Sequence, residues 1–206
     1  MKKINPKDLN DNVFEAIGKE WMLLTAGKSD NFNLMTASWG GIGWLWNKPV
    51  AFVFIRPERY TFEFAELNDS FSISFLGTSK EARDIHKICG TKSGRDINKV
   101  EASGLILEPT EQGDVIYKQS RITLIGRKLY ADFLKPECFY DSTLRDKWYS
   151  SSEEAKKLDS GITAGFHKMY ILEIVEGGSG VIPWQSYPKM IDKRYMKNGR
   201  SDTPCS

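Results

Sequence analysis

The sequence predicts a mostly β (α+β) fold, a barrel of strands accompanied by a few short helices. Two observations support this class. Apolar runs of β-branched and aromatic residues outnumber the helical patterns, and the strands do not alternate with helices as they do in a doubly wound sheet. The candidate strands span residues 21–27, 35–38, 40–46, 50–56, 71–76, 121–133 and 167–174.

Two of these strands allow a statement about burial. Residues 71–76 alternate apolar and polar side chains, which predicts a strand with one buried face. The run 121–133 is longer and predicts one continuous strand. Four apolar residues of this strand are expected to face inward: Ile122, Leu124, Leu129 and Ala131.

Helices are predicted over residues 59–68 and 80–88, and residues 90–96 are expected to form a loop. Thr78 or Ser79 is the expected N-cap of the second helix, because a short hydroxyl side chain can accept a bond from a free backbone N–H there. A strand, Gly-Thr-Ser and a helix start in succession also predict an anion site, since the first backbone N–H groups of a helix point outward.

The 206 residues are expected to form one domain, with its core at about residues 10–180 and a C-terminal tail at 181–206. Residues 1–12 are predicted to be a loose polar arm, and residues 141–158 a polar insertion with some helix. The chain contains no signal peptide pattern and no apolar run of about 18 residues, so we expect no membrane span.

Charge and cysteine content exclude several functional classes. Lys plus Arg number 29 and Asp plus Glu 27, so the net charge is 29 − 27 = +2, which is too small to indicate nucleic acid or an anionic membrane as partner. Cys89, Cys138 and Cys205 form no Cys-x-x-Cys pair, and the two histidines have no ligand spacing. We therefore expect no metal site and a cytoplasmic protein.

One stretch contains the groups that a flat ring carrying a phosphate would need. Residues 33–41 combine glycines and short polar side chains, which allow a backbone to approach a ligand and bond to it. Arg56 and Arg59 follow at the end of an apolar strand. Guanidinium groups make charge-assisted bonds to phosphate, so this end of the strand is the expected anion site.

Residues 33–41, the turn 46–49 and the Arg-Pro-x-Arg-Tyr-Thr motif at 56–61 resemble the flavin reductase-like family of FMN-binding split-barrel proteins, which includes flavoredoxins. Residues 89–96 and 167–171 agree with this resemblance, which covers most of the chain. It implies a split β-barrel of antiparallel strands in Greek-key order. It also implies a homodimer that holds FMN near the subunit interface.

The resemblance assigns two groups of residues to FMN. One group would lie along the flavin ring and bond to it through backbone amides and hydroxyls: Met35, Thr36, Ala37, Ser38 and Trp39. The other would hold the phosphate and the ribityl chain: Arg56, Arg59, Tyr60, Thr61, Leu76, Gly77, Thr78, Lys92 and Ser93.

Each assignment has an alternative interpretation. Residues 36–39 would then be a strand with its polar side chains outward and a tryptophan in the core. The two arginines would form surface ion pairs with Glu58 or Glu63, and residues 92–95 would be a solvated turn.

The resemblance implies that His167 faces the flavin near a nicotinamide site. A neutral histidine there can donate a hydrogen bond to a carboxamide or supply a proton to reduced flavin. The alternative is a strand-end histidine bonded to backbone. His86, within the predicted helix 80–88, is expected to be a surface residue, and Cys89 a buried apolar thiol.

The implied activity is that of an FMN-dependent flavin reductase, an oxidoreductase in which NAD(P)H gives hydride to flavin and the electrons pass on. An alternative is a flavoredoxin-like electron-transfer protein that a partner protein reduces and that binds no nicotinamide. A third is a flavin-binding protein for storage or sensing. The expected ligands are flavin and nicotinamide, with a redox partner protein in the second case.

Overall fold

A computed structural model describes residues 2–108, 110–149 and 165–179 of the chain. The strands are β1 (Lys2–Ile4), β2 (Met22–Lys28), β3 (Asn31–Ala37), β4 (Gly40–Leu45), β5 (Lys48–Ile55), β6 (Ser70–Phe75), β7 (Leu107–Glu108), β8 (Ile116–Tyr117), β9 (Ile122–Phe133) and β10 (Lys168–Ser179). The helices are α1 (Val13–Glu15), which continues as a π-helical turn (Ala16–Glu20), α2 (Tyr60–Leu67), α3 (Lys80–Thr91), α4 (Lys99–Ser103) and α5 (Ser142–Tyr149). Two 3-10 turns span Pro6–Asp8 and Pro136–Cys138.

One antiparallel sheet dominates the fold. Its strand order is β3-β2-β6-β9-β10-β5-β4, β1 pairs with β10, and β7 and β8 form a separate hairpin. Within the described part of the chain, β3 and β4 each pair on one side only, so the sheet is not closed. The predicted split barrel, mostly β with a few short helices, is confirmed.

The curvature of this sheet follows from one short connection. β3 and β4 lie at opposite ends of the strand order, yet only Ser38 and Trp39 join them. In a flat sheet, six strand spacings would separate the two edges by about 29 Å, whereas the three Cα–Cα steps from Ala37 to Gly40 reach at most about 11 Å. The sheet must therefore curl until its two edges almost meet.

Two apolar cores stabilise the curled sheet. Alternate side chains of each strand point to opposite faces, so Leu24 packs inside the barrel while Leu23 packs outside it. The outer core lies between the sheet and α3, and Tyr117 closes it with a hydrogen bond to Thr25 at 2.9 Å. All six residues of β6 are buried. The prediction of one buried face for residues 71–76 is therefore wrong, because the second core covers their other face.

Two other expectations about local structure are wrong because of contacts distant in sequence. Residues 1–12 are not a loose arm: β1 pairs with the end of β10, and Lys3 forms a 3.0 Å ion pair with Glu176. Helix α3 extends to Thr91 instead of ending near residue 88. The expected N-cap is confirmed at Ser79, whose hydroxyl accepts a bond from the N–H of Ala82 at 3.2 Å.

Of the four residues of β9 predicted to face inward, Ile122 and Leu124 are buried and Ala131 packs against the inner core, but Leu129 is exposed. Ile171 of β10 pairs with Tyr130, but the next residue, Leu172, pairs with Lys128. Leu129 is skipped and has no partner across the strand pair. An extra residue of this kind forms a β-bulge and reverses the alternation beyond it.

None of the helices among the described residues has the length and apolar composition needed to span a membrane. The predicted C-terminal tail at 181–206 and the second half of the insertion, residues 150–158, lie outside the described residues.

A partly buried ion cluster ties the N-terminal segment to the barrel. The guanidinium of Arg121 donates to Glu20 at 2.9 Å and to Asp11 at 2.6 Å. The Glu20 carboxylate also accepts a bond from the backbone N–H of Gly77. Because these groups are withdrawn from water, each depends on its partners for compensation of its charge.

We expect the Glu20→Ala substitution to lower the free energy of unfolding by about 3 kcal/mol, because Arg121 then keeps only one carboxylate partner. Urea denaturation followed by tryptophan fluorescence measures this difference. The matched control is Asp84→Ala, which removes an exposed 3.8 Å ion pair with Lys80 and should leave the unfolding free energy unchanged within error. Equal midpoints for the two variants would contradict the importance of the cluster.

Candidate functional site

A cavity of about 260 Å³ lies where the two edges of the sheet approach each other. Its walls come from the end of β3, the connection to β4, the end of β5 and the residue before β10. The lining residues are Met35, Thr36, Ala37, Ser38, Trp39, Phe54, Arg56, Arg59 and His167. Eight of them were predicted as site residues. Phe54 was missed, although it lies two residues before Arg56 and so shares its face of the strand.

The floor of the cavity is the small-residue end of β3. Thr36 is only half-buried, and its hydroxyl donates to the backbone oxygen of His86 at 2.8 Å and lies 3.3 Å from His86 Nδ1. The expectation that His86 is a surface residue is wrong, since only 1% of it is exposed. Burial, reinforced by the charge of Arg83, lowers the pKa of His86 to about 4, so its ring is neutral at pH 7.

The two arginines of the cavity have no carboxylate partner among the described residues. Arg56 donates to the backbone oxygen of Trp148 at 2.9 Å, and Arg59 donates to that of Gly90 at 2.8 Å. Burial, and then the charge of Arg56, lowers the pKa of Arg59. An anion bound beside the two guanidinium groups would offset this repulsion.

The alternative of surface ion pairs is not what the structure shows. Glu63 pairs with Arg95, and the carboxylate oxygens of Glu58 are buried with no hydrogen-bond partner in the described part of the chain. Neither carboxylate compensates the arginines of the cavity by an ion pair.

His167 is nearly buried beside the cavity. Its ring centroid lies 5.0 Å from that of Trp39, and a 2.9 Å hydrogen bond joins Nδ1 to the hydroxyl of Tyr149. Its backbone oxygen accepts a bond from the N–H of Leu134 at 2.9 Å. Burial, and then the charge of Arg56, lowers the pKa of His167 to about 4. The ring is therefore a neutral hydrogen-bonding group at pH 7.

Helix α5 packs against the cavity with its C-terminal end, a feature that the sequence did not predict. The ring of Trp148 meets that of Trp39 edge-on at 4.8 Å, and the guanidinium of Arg56 lies 5.3 Å from the ring centre of Tyr149. The available signal was two adjacent aromatic residues at the end of an otherwise polar segment. Such residues usually pack against an apolar surface.

Four further predicted site residues lie beside Arg59 but do not line the cavity. The buried hydroxyl of Thr61 accepts a bond from the side-chain amide of Asn33 at 2.8 Å, and Tyr60 packs under the guanidinium of Arg95 at 4.6 Å. Lys92 is exposed, and the Ser93 hydroxyl accepts a bond from the backbone N–H of Arg95 at 3.1 Å.

The close approach of this loop to β3 requires glycine at position 94. A Cβ atom there would lie 2.1 Å from the side-chain oxygen of Asn33, well inside van der Waals contact. The loop that carries Lys92 and Ser93 is therefore held against the strand that forms the cavity floor.

The structure does not bring Leu76, Gly77 and Thr78 to the cavity. Leu76 packs in the outer core, Thr78 is exposed, and the N–H of Gly77 bonds to Glu20. Within the predicted anion site, the N–H of Gly77 is thus taken by a carboxylate of the protein itself, and the N–H of Ala82 in the first turn of α3 bonds to Ser79.

The fold and the cavity together define a split-barrel protein with a positively charged, open binding site. The model of the flavin reductase-like domain matches residues 14–132, which is more than half of the chain. The chain therefore belongs to the flavin reductase-like domain family. No curated protein shows significant similarity to it.

Several solved structures share this fold. A flavoredoxin from Methanosarcina acetivorans is 21% identical with a TM-score of 0.54, over 87% of this chain and 76% of that one. The FMN-binding protein from Thermus thermophilus with bound p-hydroxybenzaldehyde is 16% identical with a TM-score of 0.56, over 92% and 87%. The Streptomyces globisporus NADH:FAD oxidoreductase SgcE6 is 11% identical with a TM-score of 0.52, over 78% and 75%.

Proposed function

We propose that this chain is a cytoplasmic, FMN-binding flavin reductase, an oxidoreductase that transfers hydride from NAD(P)H to flavin and passes the electrons on. The observation that carries the proposal is the pair Arg56 and Arg59, which line the cavity without a carboxylate partner among the described residues. A phosphate ester matches the fork-shaped donors of guanidinium groups. Membership of the flavin reductase-like family supports a flavin as the molecule that carries this phosphate.

The residues that line the cavity suit FMN in their chemistry. The cavity volume of about 260 Å³ is just below the range of about 300–1,000 Å³ for small-molecule pockets, so part of the ligand would extend beyond the cavity. The hydroxyl of Ser38 and the backbone at the end of β3 would offer polar partners to the edge of a ring, while Thr36, whose hydroxyl bonds to His86, lines the cavity beside them. Trp39, 39% exposed, offers apolar surface beside them.

Bound FMN would supply the hydride-accepting ring and its redox chemistry. The chain would contribute binding, orientation and exclusion of water. Arg56 and Arg59 would hold the phosphate, and the end of β3 would fix the ring. His167, the predicted catalytic residue, would offer a hydrogen bond or a proton beside Trp39, while α5 would restrict the access of water to this side of the cavity.

The position of α5 favours a second candidate function. Trp148 covers the side of Trp39, 4.8 Å between ring centres, and His167 is bonded to Tyr149. The resemblance to the family implies a nicotinamide site on this side of the cavity, near His167. A flavoredoxin-like electron-transfer protein, reduced by a partner protein, would need no room there.

The Arg56→Ala substitution should weaken FMN binding about 10- to 150-fold, because the phosphate loses a charge-assisted bond of about 1.5–3 kcal/mol. Titration of the apoprotein with FMN, followed by quenching of flavin fluorescence, gives the dissociation constant. Lys118→Ala removes the same charge at an exposed position away from the cavity and should bind FMN like the wild type. An unchanged constant for Arg56→Ala would remove this arginine from the site.

Rapid mixing of the FMN-loaded protein with NADH or NADPH under anaerobic conditions separates the two candidate functions. Bleaching of the flavin absorbance within seconds is the result expected for the reductase. If the oxidised spectrum persists with both donors, the reductase proposal is wrong and the electron-transfer protein becomes the better description.

The His167→Asn variant is the control for the role of His167 in that experiment. It should bind FMN with the wild-type dissociation constant and be reduced more slowly, since it lacks the imidazole beside Trp39. Equal reduction rates would mean that His167 has only a structural part.

We further propose that the protein is a homodimer, supported by the exposed apolar side chains of the open sheet edge. β4 pairs only with β5 among the described strands, and its residue Trp44 is 54% exposed. Sedimentation equilibrium should give twice the chain mass of 23.5 kDa. Trp44→Ser should weaken the association, whereas Leu67→Ser, at an exposed position on α2, should not. A monomer at micromolar concentration would refute the proposal.

A further inference from the structure

The hydroxyl of Tyr149 is held rigidly against His167. Tyr149 is the last residue of α5, and its ring stacks on that of Phe166 with centroids 4.4 Å apart and planes 12° apart. The edge of Phe139 and the guanidinium of Arg56 contact the same ring at 5.7 Å and 5.3 Å. The 2.9 Å hydrogen bond to His167 Nδ1 therefore has a fixed partner.

The chemistry of the two groups decides which of them donates. Burial raises the pKa of Tyr149, opposed by the charge of Arg56, and burial lowers that of His167 to about 4, so both groups are neutral at pH 7. A phenol is a strong donor, and the bare nitrogen of a neutral imidazole is a strong acceptor. No second partner of the Tyr149 hydroxyl lies among the described residues. The reverse arrangement would leave the phenolic proton with no acceptor among the described residues.

We propose that Tyr149 is a positioning residue that holds His167 as the Nε2–H tautomer, so that the cavity is offered a hydrogen-bond donor. His167 lines the cavity, and its Nδ1 bonds to Tyr149, which does not. The ring edge that carries Nε2 is therefore the edge available to the cavity. The ligand group that fits this donor is a carbonyl or anionic oxygen. The assignment of this oxygen to flavin or nicotinamide rests on the proposed function. The assignment of the tautomer does not depend on that function.

His86 provides a reference with the opposite tautomer. Thr36 has one hydroxyl proton, and it is donated to the backbone oxygen of His86 at 2.8 Å. The 3.3 Å contact of the same oxygen with His86 Nδ1 therefore requires the proton on Nδ1. His86 Nε2 is buried and has no partner in the described part of the chain. The two histidines of the protein are thus expected to differ in tautomer.

Long-range ¹H–¹⁵N correlation spectra of the full-length, ¹⁵N-histidine-labelled protein at pH 7 test this inference. The chain has only two histidines, and His167→Asn assigns them. The expected spectrum shows an unprotonated Nδ1 for His167 and an unprotonated Nε2 for His86. A protonated Nδ1 on His167 overturns the proposal, with or without FMN bound, and leaves the rapid-mixing result to decide the reductase activity separately.

Tyr149→Phe tests the part played by the hydroxyl. The two nitrogen shifts of His167 should move toward each other as the second tautomer becomes populated, while those of His86 stay constant and report an intact fold. Tyr140→Phe, at a fully exposed tyrosine, should change neither histidine. Unaltered His167 shifts in Tyr149→Phe would mean that another group sets the tautomer, and the wild-type spectrum remains decisive if this variant does not fold.

Discussion

The two-residue connection between β3 and β4 is the constraint on which the rest of the structure depends. It joins the two ends of a seven-strand order, so the sheet has to curl until its edges almost meet. Ser38 and Trp39 therefore lie at the split of the barrel, and the end of β3 comes next to the end of β5. The cavity forms at this split, where no strand pairing within the described residues joins β3 to β4.

Compensation of charge differs between this cavity and the ion cluster around Arg121. Arg121 is balanced by Glu20 and Asp11, whereas Arg56 and Arg59 donate to the carbonyls of Trp148 and Gly90, at the C-terminal ends of α5 and α3. Helix C-termini carry only about half a negative charge, so these bonds orient the guanidinium groups and leave a net positive field. An oriented pair of cations is suited to a ligand that brings its own charge.

The sequence predicted the elements whose pattern is local, and it was wrong where distant contacts decide. The strands of the barrel follow from apolar runs, but β1 forms only because the end of β10 offers it an edge. Helix α3 runs beyond residue 88. Lys99 and Arg59 stabilise its last turn by donating hydrogen bonds to the carbonyls of Cys89 and Gly90. A register shift, such as the one at Leu129, depends on how two strands pair, so the sequence of neither strand alone predicts it.

The same distinction applies to the site. The end of β3 and the two arginines are close in sequence to one another and carry a recognisable motif, so resemblance alone could group them. His86 could not be placed, because its burial behind Thr36 depends on how α3 packs against β3. Tyr149 was equally hidden, since only the folded chain brings the end of α5 to His167. Both contacts orient hydrogen-bonding groups at the cavity. His86 orients the hydroxyl of Thr36, and Tyr149 orients the ring of His167. Most of the residues that line the cavity could thus be predicted from the sequence, while the contacts that orient them come from tertiary packing.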